Sequence, residues 1–164
     1  ELSNLAANWE DLQWLRREWD GPLYIKGVTT RQDAARAISA GVDGIIVSNH
    51  GGRQLDGLPS STRAFPAVAD EAAGRVELFL DGGIRTGVDV AKALALGASA
   101  VTVARPWVYG VGAAGERGVD RVVAILEQEF RQTLALLGVG SAREIDTSFA
   151  HVPPEWLTEE PAAL

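Results

Sequence analysis

Two stretches of this chain are near copies of one another. Asp33-Ala34-Ala35-Arg36-Ala37-Ile38-Ser39-Ala40-Gly41 lines up with Asp89-Val90-Ala91-Lys92-Ala93-Leu94-Ala95-Leu96-Gly97. Each is followed, at the same spacing, by an apolar run: Gly44-Ile45-Ile46-Val47 in one case, Ala100-Val101-Thr102-Val103 in the other. Alanine-rich helical spacing with a glycine stop predicts a helix. A short apolar run bounded by turn residues predicts a strand buried on both faces. A helix feeding a buried strand, repeated, is the unit of a parallel sheet with crossover connections.

The remaining elements fit that frame. Asn8 caps a helix through Trp9, Leu12, Trp14, Leu15 and Trp19, which Asp20-Gly21-Pro22 ends; its three Trp are expected to pack. Leu23 to Val28 is a strand, and Thr30 with Asp33 opens the first repeated helix in the manner of a capping box. Ser60 or Ser61 starts a helix through Phe65, Val68 and Ala72, with Pro66 near enough to its beginning to move that start. Val76 to Leu80 is the third strand. The second repeated helix, about 88–96, and a strand over 100–104 follow. An apolar segment over 107–114 precedes a long amphipathic helix, about Val119 to Leu137. Ser141 and Glu144 cap a last short helix, and the tail from His151, rich in Pro and Glu, is expected to be loosely ordered.

A helix and then four strand–helix units imply an α/β fold of the (β/α)₈ TIM-barrel kind. Such a barrel takes roughly 250 residues, and this chain has 164. Four strands leave two unpaired edges and half of a core. The expectation is that residues 1–150 form the carboxyl-terminal half of a barrel and 151–164 a tail. The other half would come from a missing segment, another chain or a second copy, with a homo-oligomer implied.

Composition narrows the chemistry. There is no Cys and there are only two His, which removes disulfides, thiolate chemistry and a His-rich metal site; no metal site is expected. A net charge of −7 argues against a nucleic-acid partner. No apolar run is long enough to span a bilayer. A cytoplasmic protein is expected, with a peripheral seat on the inner face of a membrane as the alternative.

The chemistry-bearing residues gather at the carboxyl ends of the expected strands. Ser48-Asn49-His50-Gly51-Gly52-Arg53-Gln54-Leu55-Asp56-Gly57 follows the second strand. His is the natural base near neutral pH and Arg a two-pronged carboxylate binder, so His50 and Arg53 point to proton removal from a small carboxylic acid; the alternative is a strand-end cap and a structural ion pair. Asp56 pairs with Arg53 or caps the loop. Asp81-Gly82-Gly83-Ile84-Arg85 leaves a strand and enters a helix, where free backbone N–H groups can face an anion, and Arg105 ends the next strand. Phosphate binding by two adjacent loops is expected there, a common barrel arrangement. Lys26, near the end of the first strand, holds an anionic oxygen, forms a Schiff base or reaches solvent.

Taken together, Lys26-Gly27, the segment 48–57, Asp81-Gly82-Gly83-Ile84-Arg85-Thr86-Gly87 and Arg105-Pro106 resemble the FMN-dependent L-2-hydroxy-acid dehydrogenases and oxidases. That family includes lactate, glycolate and mandelate enzymes. The resemblance covers nearly the whole chain to about residue 150 and implies strands five to eight of a TIM barrel. It implies FMN as cofactor, with Lys26 at the flavin N1/O2 edge, Ser48 beside the flavin, and Asp81, Gly83, Arg85 and Arg105 lining the ribityl phosphate site. It implies His50 as base and Arg53 on the substrate carboxylate. The reaction is oxidation of an L-2-hydroxy acid to the 2-oxo acid, with oxygen, a quinone or a cytochrome as electron acceptor. The family's usual glycine before Arg-Pro is here Ala104. Two alternatives remain: an FMN barrel acting on a peptide-derived precursor, and a half-barrel without catalysis of its own.

Overall fold

In the computed structural model, which describes residues 8–158, four parallel strands lie side by side in chain order. They are β1 (Tyr24–Val28), β2 (Gly44–Val47), β3 (Glu77–Asp81) and β4 (Ala100–Thr102). Helices α1 (Trp9–Glu18), α2 (Arg31–Ser39), α3 (Ser61–Ala72), α4 (Gly87–Ala95), α5 (Arg105–Ala114), α6 (Glu116–Leu137) and α7 (Glu155–Thr158) accompany them. The expected alternation of strand and helix is present, with strand ends shifted by one or two residues.

Helix starts follow local chemistry. The Asn8 side chain accepts from the backbone amides of Glu10 and Asp11, and Asp11 reaches back to the Asn8 amide. Thr30 accepts from Asp33 N, and Thr86 and Asp89 cap each other reciprocally. Each such cap satisfies amides that the helix leaves open and contributes about 1 kcal/mol. Ser60 caps α3, and Pro66 does not move that start: it lies inside the helix, buried between Phe65 and Ala67. One missing amide is outweighed by the burial of Ala64, Phe65 and Val68 on the sheet.

The core sits between the sheet and its helices. Ile45 and Val47 of β2, Leu80 of β3, and Phe65 and Val68 of α3 are completely enclosed. Period-two alternation then turns Lys26, Ile46, Phe79, Asp81 and Thr102 to the other face, where they are half-buried or exposed. There Tyr24 stacks near Phe79, centroids 5.5 Å apart, and donates to Glu77.

Three expectations are corrected. The segment 107–114 belongs to a helix, α5, which begins at Arg105 with Pro106 in its first turn, where a missing amide costs nothing. Gly110 within it meets Gly118 of α6 backbone to backbone, whereas a Cβ at Gly112 would meet nothing within 4 Å. Of Trp9, Trp14 and the C-cap Trp19, only Trp9 packs on the core, with the Arg36 guanidinium 5.8 Å above its ring. Trp14 and Trp19 are more than half exposed, since a spacing of five carries each around the helix. The tail closes into the helical turn α7 against α3, and Arg31 donates to the Leu157 carbonyl at 3.3 Å. Residues 1–7 and 159–164 lie outside the described residues, and with them the expectation for the last part of the tail. The cap at Ser141 opens a single 3₁₀ turn, Ala142–Glu144.

Candidate active site at the carboxyl ends of the strands

A hydrogen-bonded belt crosses all four strands at their carboxyl ends. Lys26 donates from Nζ to Ser48 Oγ (3.0 Å) and to Asp81 Oδ2 (2.8 Å). Ser48 donates to the same Asp81 oxygen at 2.5 Å, and Thr102 donates to Asp81 Oδ1. Strand register explains the meeting: Asp81 lies opposite Thr102, and Val47 opposite Leu80, so Ser48 follows beside Asp81. Burial alone would push the Asp81 carboxyl up. The hydrogen bonds from Lys26, Ser48 and Thr102, with the Lys26 charge, outweigh it and hold the group below the usual carboxylate value.

Asp89 is held low in the same way, its burial outweighed by the Arg85 amide, the Thr86 hydroxyl and amide, and the Lys92 charge. A carboxylate depressed in the folded state contributes stability that is fully present above its unfolded value, near 4, and is lost as pH falls through the folded value. Urea midpoints at pH 7, 4 and 3 should therefore fall with pH, and Asp89→Asn should flatten part of that decline.

The loop after β2 is pinned at several points. The Ser48 hydroxyl accepts from the His50 amide at 3.0 Å. Asn49 accepts from the Gly51 amide (2.9 Å), donates to the Pro59 carbonyl (3.1 Å), and its own amide donates to the buried Ser61 hydroxyl (3.0 Å). His50 has φ 54° and Gly51 and Gly52 also have positive φ. Such a value at a non-glycine residue is uncommon and clusters at functional sites. The imidazole lies over Gly27, where an added Cβ would stand 2.9 Å from His50 Cε1. Gly27 is therefore the residue that admits the ring, helped by its own φ of 108°.

These groups open onto one cleft of about 660 Å³. Lys26, His50, Arg53, Asp81, Gly83 and Arg105 of the expected site residues line it. Ser48 lies beneath its floor, 1% exposed. Arg85 stands outside the lining, exposed, with its amide donated to Asp89 at 3.1 Å. Asp56 does not pair with Arg53; it accepts from the Gly57 amide. Among the described residues none pairs with the guanidinium of Arg53, Arg85 or Arg105.

Of the expected anion loop, Gly82, Gly83 and Ile84 line the cleft, and the amides that follow them are already occupied. Those of Arg85, Thr86 and Asp89 at the start of α4 are taken by the Asp89 and Thr86 side chains, and that of Gly87 by Glu129 of α6 at 2.8 Å. The start of α5 carries no side-chain cap and opens on the cleft beside Arg105. Ala104, at that position, has φ −106°, a value open to any residue, so its backbone makes no demand for glycine. Sequence reasoning missed Thr102, and it quoted Gly27 and Gln54 within motifs without giving either a place at the site. The even spacing of Thr102 from Ala100 on the open face of β4 was the only signal for it.

The model of the FMN-dependent dehydrogenase family matches residues 1–152. The chain belongs to this family. It is 50% identical over 140 residues to an L-lactate dehydrogenase of Pseudomonas aeruginosa (strain LESB58), 85% of this chain and 37% of that protein. It is 48% identical over 149 residues to 2-Hydroxyacid oxidase 1 of Mus musculus, 91% of this chain and 40% of that protein. The crystal structure of (S)-mandelate dehydrogenase, described as a monotopic membrane protein, superposes with a TM-score of 0.83 at 40% identity over 87% of this chain and 38% of that one. A mandelate oxidase with (S)-mandelic acid gives 0.81 at 44% identity, over 84% and 41%. The chain thus spans about two fifths of the length of its relatives, and its sheet is four units of the family's TIM barrel. No helix among the described residues is long and apolar enough to cross a membrane.

The family's FMN fits this cleft by donor chemistry. The uncapped amides of α5 with Arg105 suit a phosphate, and the Lys26 ammonium suits an electron-rich ring edge.

Proposed function

We propose that this chain is the flavin- and substrate-holding part of an enzyme that oxidises an L-2-hydroxy acid of the lactate kind to its 2-oxo acid. The observation that carries the reading is the shared cleft: a pinned histidine, an unpaired arginine three residues on, and a lysine held across the sheet. FMN, when bound, takes up the two electrons of the oxidation. Lys26, Ser48, Asp81, Gly83, Arg85 and Arg105 would hold it. Arg53 takes the substrate carboxylate in a two-pronged hydrogen bond. That grip sets the hydroxyl-bearing carbon before His50, whose neutral imidazole accepts the proton released from carbon or from hydroxyl. Asp81 lines the same cleft as Gly83 and Arg105 and serves by holding Lys26 in place. Oxygen, a quinone or a cytochrome would be the final electron acceptor. The rest of the barrel, from a further segment or a second copy, covers the open sheet face. Work in the cytoplasm or at the inner face of a membrane suits this reading.

The test is an anaerobic visible spectrum of the FMN-loaded protein before and after L-lactate. Bleaching of the flavin band supports the reading; FMN binding without bleaching by any 2-hydroxy acid would sink the substrate assignment. Arg53→Lys should keep FMN affinity and raise KM for the hydroxy acid at least tenfold, since an ammonium cannot replace the paired donors. Equal losses in both quantities would argue for a structural Arg53.

A further inference from the structure

We propose that Thr102 is a positioning residue for Lys26: its hydroxyl occupies one oxygen of Asp81, so that only the other is offered to Lys26 and the ammonium stays directed at the cleft. The flavin consequence of this rests on the function proposed above.

The argument is one of donors and acceptors. Asp81 Oδ1 accepts from Thr102, while Oδ2 accepts from Lys26 at 2.8 Å and Ser48 at 2.5 Å. Ser48 cannot move to compensate. It is buried, and its oxygen also accepts from the His50 amide and from Lys26. An ammonium has three protons, and two of those on Lys26 have partners here. Without the Thr102 hydroxyl, Oδ1 loses its donor, and Lys26, already on the other oxygen of the same carboxylate, has a proton to spare. The ammonium then bridges both carboxylate oxygens, and more of its charge is neutralised by Asp81. Less remains to favour negative charge on a ring edge lying in the cleft. Thr102 is well placed for this part. It is the last residue of β4, directly opposite Asp81 in the ladder, between Val101 and Val103, which pack on the core.

The test compares Thr102→Val, which keeps the shape and removes the hydroxyl, with Thr102→Ser, which keeps the hydroxyl. In the FMN-loaded protein, Thr102→Val should lower the two-electron midpoint potential by about 30 mV, a tenfold change in the reduction equilibrium. Thr102→Ser should stay with the parent protein. A potential unchanged in Thr102→Val, or lowered as much in Thr102→Ser, overturns the proposal, because a purely structural threonine would alter the melting temperature and leave the potential alone. A second readout needs no flavin: a crystal structure of Thr102→Val should place the Lys26 ammonium within hydrogen-bond distance of both Asp81 oxygens, and one of Thr102→Ser should keep it on Oδ2 alone. If the parent protein takes up no FMN, the functional reading fails by itself. The crystal structure still decides the matter, and a Lys26 that stays on Oδ2 alone in Thr102→Val overturns the role of Thr102.

Discussion

Replacing His50 by asparagine should lower the rate of flavin reduction by a 2-hydroxy acid by about 10² to 10⁴, the usual contribution of a positioned general base. Asparagine is the informative choice. His50 has φ 54°, and asparagine is among the residues that best tolerate that region, so the loop gains no new strain. The amide that donates to Ser48 is kept, and the ring's place above Gly27 is left open. FMN affinity should change little, because no part of the histidine side chain is asked to hold the cofactor. Stopped-flow reduction under anaerobic conditions, with FMN affinity measured in parallel, separates the two. If affinity collapses along with the rate, His50 shapes the cleft and does not carry the proton.

The largest effect on stability is expected at Gly118→Ala. A Cβ there would stand 1.8 Å from the Gly110 carbonyl oxygen and 2.5 Å from its carbon. Both atoms are backbone, inside a helix, and no rotamer change relieves the clash. Helices α5 and α6 must separate, at a cost of about 3 kcal/mol by the scale of overpacked cores. For a chain of this length that corresponds to a fall in Tm of roughly 6–12 °C. The reverse change, Gly110→Ala, should cost less, since its Cβ meets the Gly118 carbonyl oxygen at 2.7 Å and a movable Val122 methyl at 3.0 Å. The consequence reaches the cleft, because α5 begins with Arg105. Thermal melts give the stability ranking, and FMN titration of the same variants should show weaker binding for Gly118→Ala. A melt unchanged from the parent would mean that the two helices do not touch in solution.

Much of the molecule was legible from neighbours in the chain. Asn8, Thr30 and Ser60 cap helices because a short polar side chain reaches amides two or three residues on, a contact that residue order alone specifies. The apolar runs at 44–47 and 100–103 could bury themselves in one way, as parallel strands between helices. The group His50-Gly51-Gly52-Arg53, standing after such a strand, located the cleft.

The remainder depends on residues that meet only after folding. Residues 107–114 look poor for a helix because of Gly110 and Gly112, yet α5 forms because Gly110 lets Gly118 approach. The amides of α4 look open to an anion, yet Glu129, 42 residues further on, occupies one of them and the Asp89 and Thr86 side chains occupy others. Lys26 has no partner within its own strand; Ser48 just after β2, Asp81 of β3 and Thr102 of β4 decide where its charge lies. Residue order thus set the periodicities and short-range hydrogen bonds that make this a parallel α/β chain with a reactive loop. The packing of distant segments set which amides, oxygens and cations remain free to meet a ligand, because each such group is claimed by whichever partner the fold brings within about 3 Å.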